Sequence, residues 1–318
     1  MTPRQAVHDR IDLLAGTLLV VCCVIWGVQQ AAIKISLDQG IPPLLQATLR
    51  SAGAAVLLAL WAGLRGQWRM LFARDGSALP LLLVIVLFAG EFLTLYPGLQ
   101  RTTASRGVVI LYTAPIWVAV GAHFLVPGER LRVRQFLGLL AAFVGVGCAV
   151  ADGLRNGGGS LLGDALVGMA AALWGATTVA IKANPVLRRL PAVKILLFQF
   201  LGSTPILFAF AAANGELHAA GATATAWAWM AYQTVIVAAG TYLVFVWLIA
   251  HYPAGRLSSY TFLTPLFGIL AGAGLLGERV SPALILALVF VALGIRLVNG
   301  PAPSPVRRIR SRSREASG

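Results

Sequence analysis

The sequence predicts an all-α integral membrane protein, ten transmembrane helices arranged as two inverted five-helix repeats. Three observations carry that expectation. Hydrophobic residues make up 58% of the 318-residue chain and charged residues only 11%, against roughly 25% charged in an average soluble domain. Runs of about 20 mostly apolar residues, the length that spans a bilayer, recur from Ile11 almost to Val298 with only short connections between them. The chain also repeats itself. Trp26-Gly27 followed by Ala32-Ile33-Lys34 returns, with identical internal spacing, as Trp174-Gly175 followed by Ala180-Ile181-Lys182. Downstream, Ala104-Ser105-Arg106 returns as Ala254-Gly255-Arg256, Tyr112 to Pro115 as Phe262 to Pro265, and Gly128-Glu129-Arg130 as Gly277-Glu278-Arg279.

With Gly, Pro and charge as punctuation, hydropathy places helices near 12–36, 43–64, 79–99, 104–126, 132–151, 160–182, 191–213, 226–250, 255–275 and 281–298. The chain then divides into a cytoplasmic N-terminus (1–13), a first five-helix repeat (14–151), a second (160–298) and a basic tail (299–318). The first run follows Arg4 and Arg10 as a signal peptide would, but it is too long for an h-region and lacks a small-residue cleavage site, so it is expected to be retained. The tail is rich in Pro, Ser and Arg, which predicts disorder, with anionic lipid headgroups as its natural neighbours.

Ten spans put both termini on one side. Seventeen Lys and Arg residues fall in the connections of that side and four, Arg101, Arg106, Arg155 and Arg279, on the other. Basic connections stay in the cytoplasm, so both termini are expected there. The formal charge of +14 is then topology, and nucleic-acid binding is not its explanation. Because each repeat has an odd number of spans, the second enters the membrane in the opposite sense, and such a pair can open a central cavity alternately to either side.

Cys22, Cys23 and Cys148 lie in apolar runs as small packing residues, and His8, His123, His218 and His251 are scattered, so neither a metal nor any other cofactor is implied. Glu91 is the carboxylate placed deep in a span. A charge at that depth costs about 2.5–3.5 kcal/mol on insertion scales, which makes Glu91 a proton-coupling candidate, with structural pairing to Arg50 as the alternative. It shares a helical face with Thr94 and Gly98, and its counterpart in the second half is Thr241. Arg50, which aligns with Gln199, suits a bidentate grip on a substrate carboxylate or, alternatively, snorkelling or an internal ion pair. Gln29 and Gln30 align with Thr177 and Thr178; Trp26, Gln30 and Lys34 form one stripe, and Trp174, Thr178 and Lys182 another. These stripes can line a cavity, or Gly27 and Gly175 can simply allow close helix packing, with the lysines at the membrane boundary. Pro115 and Pro265 are expected as kinks or hinges inside the fourth and ninth spans. Tyr96, Tyr112, Tyr242 and Tyr260 supply aromatic surface with hydroxyl handles.

On these residues the chain resembles the EamA-type family of the drug/metabolite transporter superfamily. The resemblance rests on Trp-Gly followed by Ala-Ile-Lys opening each half, the Ala-x-Arg start of the fourth and ninth spans, their prolines and the closing Gly-Glu-Arg. It implies a carrier, usually an exporter of amino acids, metabolites or drug-like molecules, with a cavity between inverted halves. It does not supply a coupling acid; Glu91 is read from its own position. No Walker-type loop is present to use ATP. A membrane-embedded enzyme would need a nucleophile and base, or metal ligands, clustered at membrane depth, and a sensor or scaffold would need a soluble partner surface; the sequence offers neither. The expected partners are a small-molecule substrate and membrane lipid.

Overall fold

A computed structural model describes residues 12–127, 131, 133–156, 160–251 and 263–299. All regular structure in them is helical. Eight helices are long and apolar enough to cross a membrane, and two shorter apolar ones follow near the C-terminus. The α-helical segments that make up these spans and their connections are, in chain order, α1 (Leu13–Asp38), α2 (Pro43–Leu64), the single turn α3 (Trp68–Leu71), α4 (Ala78–Gln100), α5 (Ala104–Leu111), α6 (Ala114–Leu125), α7 (Val133–Asn156), α8 (Leu161–Ala183), α9 (Ala192–Ala213), α10 (Ala224–Ala231), α11 (Tyr242–His251), α12 (Leu263–Leu276) and α13 (Pro282–Asn299).

Helix starts are written locally. Asp12, Thr103, Ser160 and Thr223 each accept a hydrogen bond from a backbone N–H of the first turn of α1, α5, α8 and α10, which satisfies donors that the helix itself leaves open. Pro43 occupies the first position of α2, where its missing N–H costs nothing.

Two spans depart from regular helices. The fourth, expected as one kinked helix, breaks at Tyr112-Thr113 into α5 and α6, because Pro115 lies in the first turn of α6 and cannot donate back to the preceding turn. Thr113 covers the break by donating its hydroxyl to the Ile110 carbonyl at 2.7 Å. In the eighth, Tyr232–Thr241 winds as a π-helix between α10 and α11, a local widening often found where a helix carries function. The start of the ninth span, with Ala254-Gly255-Arg256 and Tyr260, lies outside the described residues.

Packing joins sequence-distant helices. α1 lies on α12, and α6 and α5 lie on α8; α4 packs on α8, and α1 on α10 and the π segment; α2 pairs with α9 and α7 with α13. Glycine makes the closest crossings possible. A Cβ on Gly27 of α1 would sit 2.7 Å from the Cβ of Phe267 on α12, and one on Gly175 of α8 would sit 2.5 Å from the Cβ of Trp117 on α6. The twin Trp-Gly pairs thus mark twin helix crossings.

Candidate substrate site

Where α1, α2, α4, α9 and the π segment converge, Arg50 is the largest fully buried side chain. It sits among aromatic rings, its guanidinium carbon 4.7 Å from the centroid of Phe92 and 5.7 Å from that of Phe200. Nη2 donates to the Tyr242 hydroxyl at a long 3.4 Å, and Nε and Nη1 have no partner. Tyr242 stacks on Phe200 at 5.8 Å, and Phe88 and Tyr96 extend the cluster around Phe92. Glu91 is buried in the middle of α4, within electrostatic range of Arg50, yet the two form no ion pair within 4.0 Å.

A hydrogen-bonded chain ties this site to α1. Tyr96 donates its hydroxyl to Gln233 Oε1 at 3.2 Å, and the Gln233 amide donates to Ser36 Oγ and the Ala32 carbonyl. Nearby, Trp26 Nε1 donates to Thr241 Oγ1 at 2.8 Å and Trp26 meets Phe245 edge-on. The structure therefore gathers Trp26, Arg50, Glu91, Tyr96, Thr241 and Tyr242 around one set of helices. Gln29 and Gln30 are buried on α1, where Gln30 Oε1 lacks a partner. Among the described residues no hydrogen bond joins the remaining candidates to that network, although Tyr112 lies within electrostatic range of Tyr242. Tyr112 and Trp174 form their own edge-on pair at 5.7 Å. Thr177 and Thr178 return their hydroxyls to carbonyls one turn back in α8, which leaves both satisfied within the helix. Gln199 is buried on α9, but its neighbour Phe200 is the residue that meets Arg50. Pro265 is buried in the first turn of α12. Lys34 reaches the Leu99 carbonyl at the end of α4, 3.2 Å away.

Sequence reasoning did not assign Phe92, Phe200 or Gln233. Gln233 carried a signal, since with its neighbours Tyr232 and Thr234 it interrupts an otherwise apolar stretch from Met230 to Ala239. The two phenylalanines carried none that separates them from the chain's other twelve.

A second polar cluster surrounds the N-terminus of α5. Glu278, just beyond α12, accepts from the backbone N–H groups of Ala104 at 2.6 Å and Ser105 at 2.9 Å, neutralising the positive end of that helix. Gly277 ends α12 with φ +65°, which turns Glu278 toward α5, and Gly272 leaves the space in which the Glu278 carboxylate and the Ser105 hydroxyl sit. One turn along, Arg106 pairs with Asp164 of α8 at 3.2 Å, both 3% exposed, and Thr102 joins them by bonding both partners. The Ala-Ser-Arg and Gly-Glu-Arg motifs are therefore two sides of one contact. Elsewhere, Lys194 donates to Asp75 at 2.8 Å and holds its carboxyl below the usual range, at about 2.

The chain matches the EamA-like transporter family over residues 13–151 and again over 161–300. The chain belongs to the EamA-like transporter family. It is 28% identical over 301 residues to "Uncharacterized transporter YvbV" of Bacillus subtilis, covering 93% of each chain. It is 27% identical over 296 residues to the "Probable amino-acid metabolite efflux pump" of Escherichia coli K12, covering 88% of this chain and 93% of the relative. A solved crystal structure shares the fold at a TM-score of 0.63 with 17% identity, over 90% of this chain and 96% of the other. This EamA-like protein is thus a multi-pass membrane transporter, and the helices that hold Arg50 and Glu91 come from both of its family-matched segments.

Proposed function

We propose that the protein is a secondary transporter that exports small polar or amphipathic organic molecules, amino acids and related metabolites among them, across the bacterial inner membrane by alternating access. In this reading ten spans form two inverted five-helix halves, at 14–151 and 160–298, with both termini in the cytoplasm. Trp26, Gln29, Gln30, Arg50, Tyr96, Tyr112, Trp174, Thr178, Gln199, Thr241, Tyr242 and Tyr260 line the path, Pro115 and Pro265 serve as hinges, and Glu91 carries the coupling proton.

One observation carries the reading. Numbering the spans from one to ten, the first packs on the ninth as the sixth packs on the fourth, and the third packs on the sixth as the eighth packs on the first; the second and seventh pair directly, as do the fifth and tenth. Exchanging the halves leaves this set of pairings unchanged. A bundle in which each half leans on the other can repack with their roles reversed, and alternating access requires that. The name of the Escherichia coli relative supports export of amino-acid metabolites as the first class to try.

The test is purified protein in liposomes loaded with labelled amino acids and metabolites. Release above protein-free vesicles, driven by an imposed proton gradient and made pH-independent by Glu91→Gln, is expected. Release that ignores the gradient removes the coupling role of Glu91, and no release of any compound removes export. Tags that place the two termini on opposite faces would remove the inverted arrangement.

A further inference from the structure

We propose that Arg50 is the anchor for a single carboxylate on the transported molecule, so that the site takes monocarboxylates and zwitterions and rejects amines, amides and dianions. This rests on the transport reading above and deepens it by naming the chemical group that the site recognises.

Arg50, Arg106 and Lys194 are the buried cations among the described residues. Arg106 has Asp164, and Lys194 has Asp75. Arg50 has neither an acidic partner within 4.0 Å nor a hydrogen-bond acceptor for Nε and Nη1. A guanidinium cannot shed its proton to escape burial, so its charge stays in a low-dielectric site, against two rings, one long bond to Tyr242 and the more distant Glu91. What it lacks is a planar pair of acceptor oxygens, and that is a carboxylate.

The surroundings set the charge of the ligand. Phe92 and Phe200 pack against the guanidinium carbon, so the unpartnered Nε and Nη1 are what remains to bind a ligand. Glu91, in electrostatic range of Arg50, places a carboxyl group beside the site. A single guanidinium balances one negative charge, so it suits a monocarboxylate and not a phosphate dianion, and a ligand ammonium can meet Glu91 when that carboxyl is ionised. Other polar atoms on α1 and α2 also lack partners, namely Gln30 Oε1, Gln46 Oε1 and Ser51 Oγ. Buried groups left so are costly in a finished structural network, and they are expected in a site that a ligand completes.

A structural arginine and a ligand anchor respond differently to substitution. If Arg50 holds the fold together, Arg50→Met lowers the melting temperature of the solubilised empty protein. If it waits for an anion, the variant melts at or above the wild-type temperature, because an unsatisfied buried charge has been removed. The ligand arm uses a matched set of phenylpropionate, L-phenylalanine, L-phenylalaninamide, phenylethylamine and phenyl phosphate. The first two are expected to raise the wild-type melting temperature by several degrees and the other three to leave it unchanged. Arg50→Met is expected to abolish that protection, and Arg50→Lys, which keeps the charge and the fold but loses the planar fork, to weaken the apparent affinity about tenfold. A several-degree drop in the empty Arg50→Met protein overturns the proposal, as does equal protection by the amide and amine or protection that survives both variants. Carboxylate protection intact in a protein that moves no solute in liposomes would remove the transport reading and leave the anchor in place.

Discussion

The α5 N-terminal cluster and the Arg50 site bury the same kinds of group to opposite effect. Around α5, Asp164 meets Arg106 and Thr102, and Glu278 meets two backbone N–H groups. On α1 and α2, Arg50 Nε and Nη1 and the side-chain oxygens of Gln30, Gln46 and Ser51 have no partner, and Glu91 lies in electrostatic range of Arg50 without forming an ion pair. In the first cluster each charged group has its partner, although Ser105 Oγ and Arg106 Nε do not, and it joins α5, α8 and the end of α12. The second resembles a joint with one member missing. Burial and charge are shared by both, so the pairing of the charged groups is what separates the structural cluster from the proposed site.

Asp164→Ala should separate them most sharply. It strands Arg106, which is 3% exposed, and is expected to cost about 3–5 kcal/mol. Chemical unfolding in detergent measures it. The same loss from Arg50→Met would erase the distinction, and a loss from Asp164→Ala below about 1 kcal/mol, a surface-pair value, would break it from the other side.

Gly272→Ala comes next. Its new Cβ would overlap Ser105 Oγ and Glu278 Oε2, whereas a Cβ on Gly274, two residues on, meets nothing within 4 Å. Overpacking of this kind costs about 1–3 kcal/mol, so Gly272→Ala should unfold earlier than Gly274→Ala by that margin. Equal stability of the two would mean that Glu278 can let go of α5 without penalty. Glu278→Gln sharpens the same contact more gently. It keeps the shape, removes the charge and offers one acceptor where there were two, for an expected loss of about 1–2 kcal/mol. Added salt should narrow the difference if the helix-end charge is what counts.

How far the sequence could be read follows the same line. The helices were legible because hydropathy and caps are local, and the twin Trp-Gly pairs were legible as a repeat because spacing survives duplication. Their meaning was not, since the partner of Gly27 is Phe267 and that of Gly175 is Trp117, residues far away in the chain. The Gly-Glu-Arg motif shows the gap most clearly: Glu278 works on N–H groups more than 170 residues upstream, and nothing at either end announces the other. Arg50 and Glu91 stood out because a charge in an apolar run is expensive, but whether they touch each other depends on helix rotation, which periodicity alone does not fix. Phe92 and Phe200 could not be found at all, because an aromatic ring in a membrane span looks the same whether it packs against leucine or against a guanidinium. The π segment at Tyr232–Thr241 was equally hidden, being set by tertiary contacts such as Trp26 to Thr241.

The Asp75–Lys194 pair lies between the two extremes and gives the smallest effect. Lys194 is buried, but the Asp75 side chain is 34% exposed, so water screens the interaction. Bonding to Lys194 and Ser77 lowers the Asp75 carboxyl from an ordinary 3.8 to about 2 in the folded protein. A carboxyl with a depressed folded value stabilises the fold above the unfolded value and loses that stabilisation as pH falls toward the folded one. The contribution should therefore be whole at pH 5 and above, and fade between about pH 4 and pH 2. Melting curves of wild type and Asp75→Asn are expected to differ by a small constant gap at neutral pH that closes in this acid window. A gap that stays unchanged through this window would show that Lys194 draws its stability from the Ala73 carbonyl, 3.2 Å away, and not from the charge on Asp75.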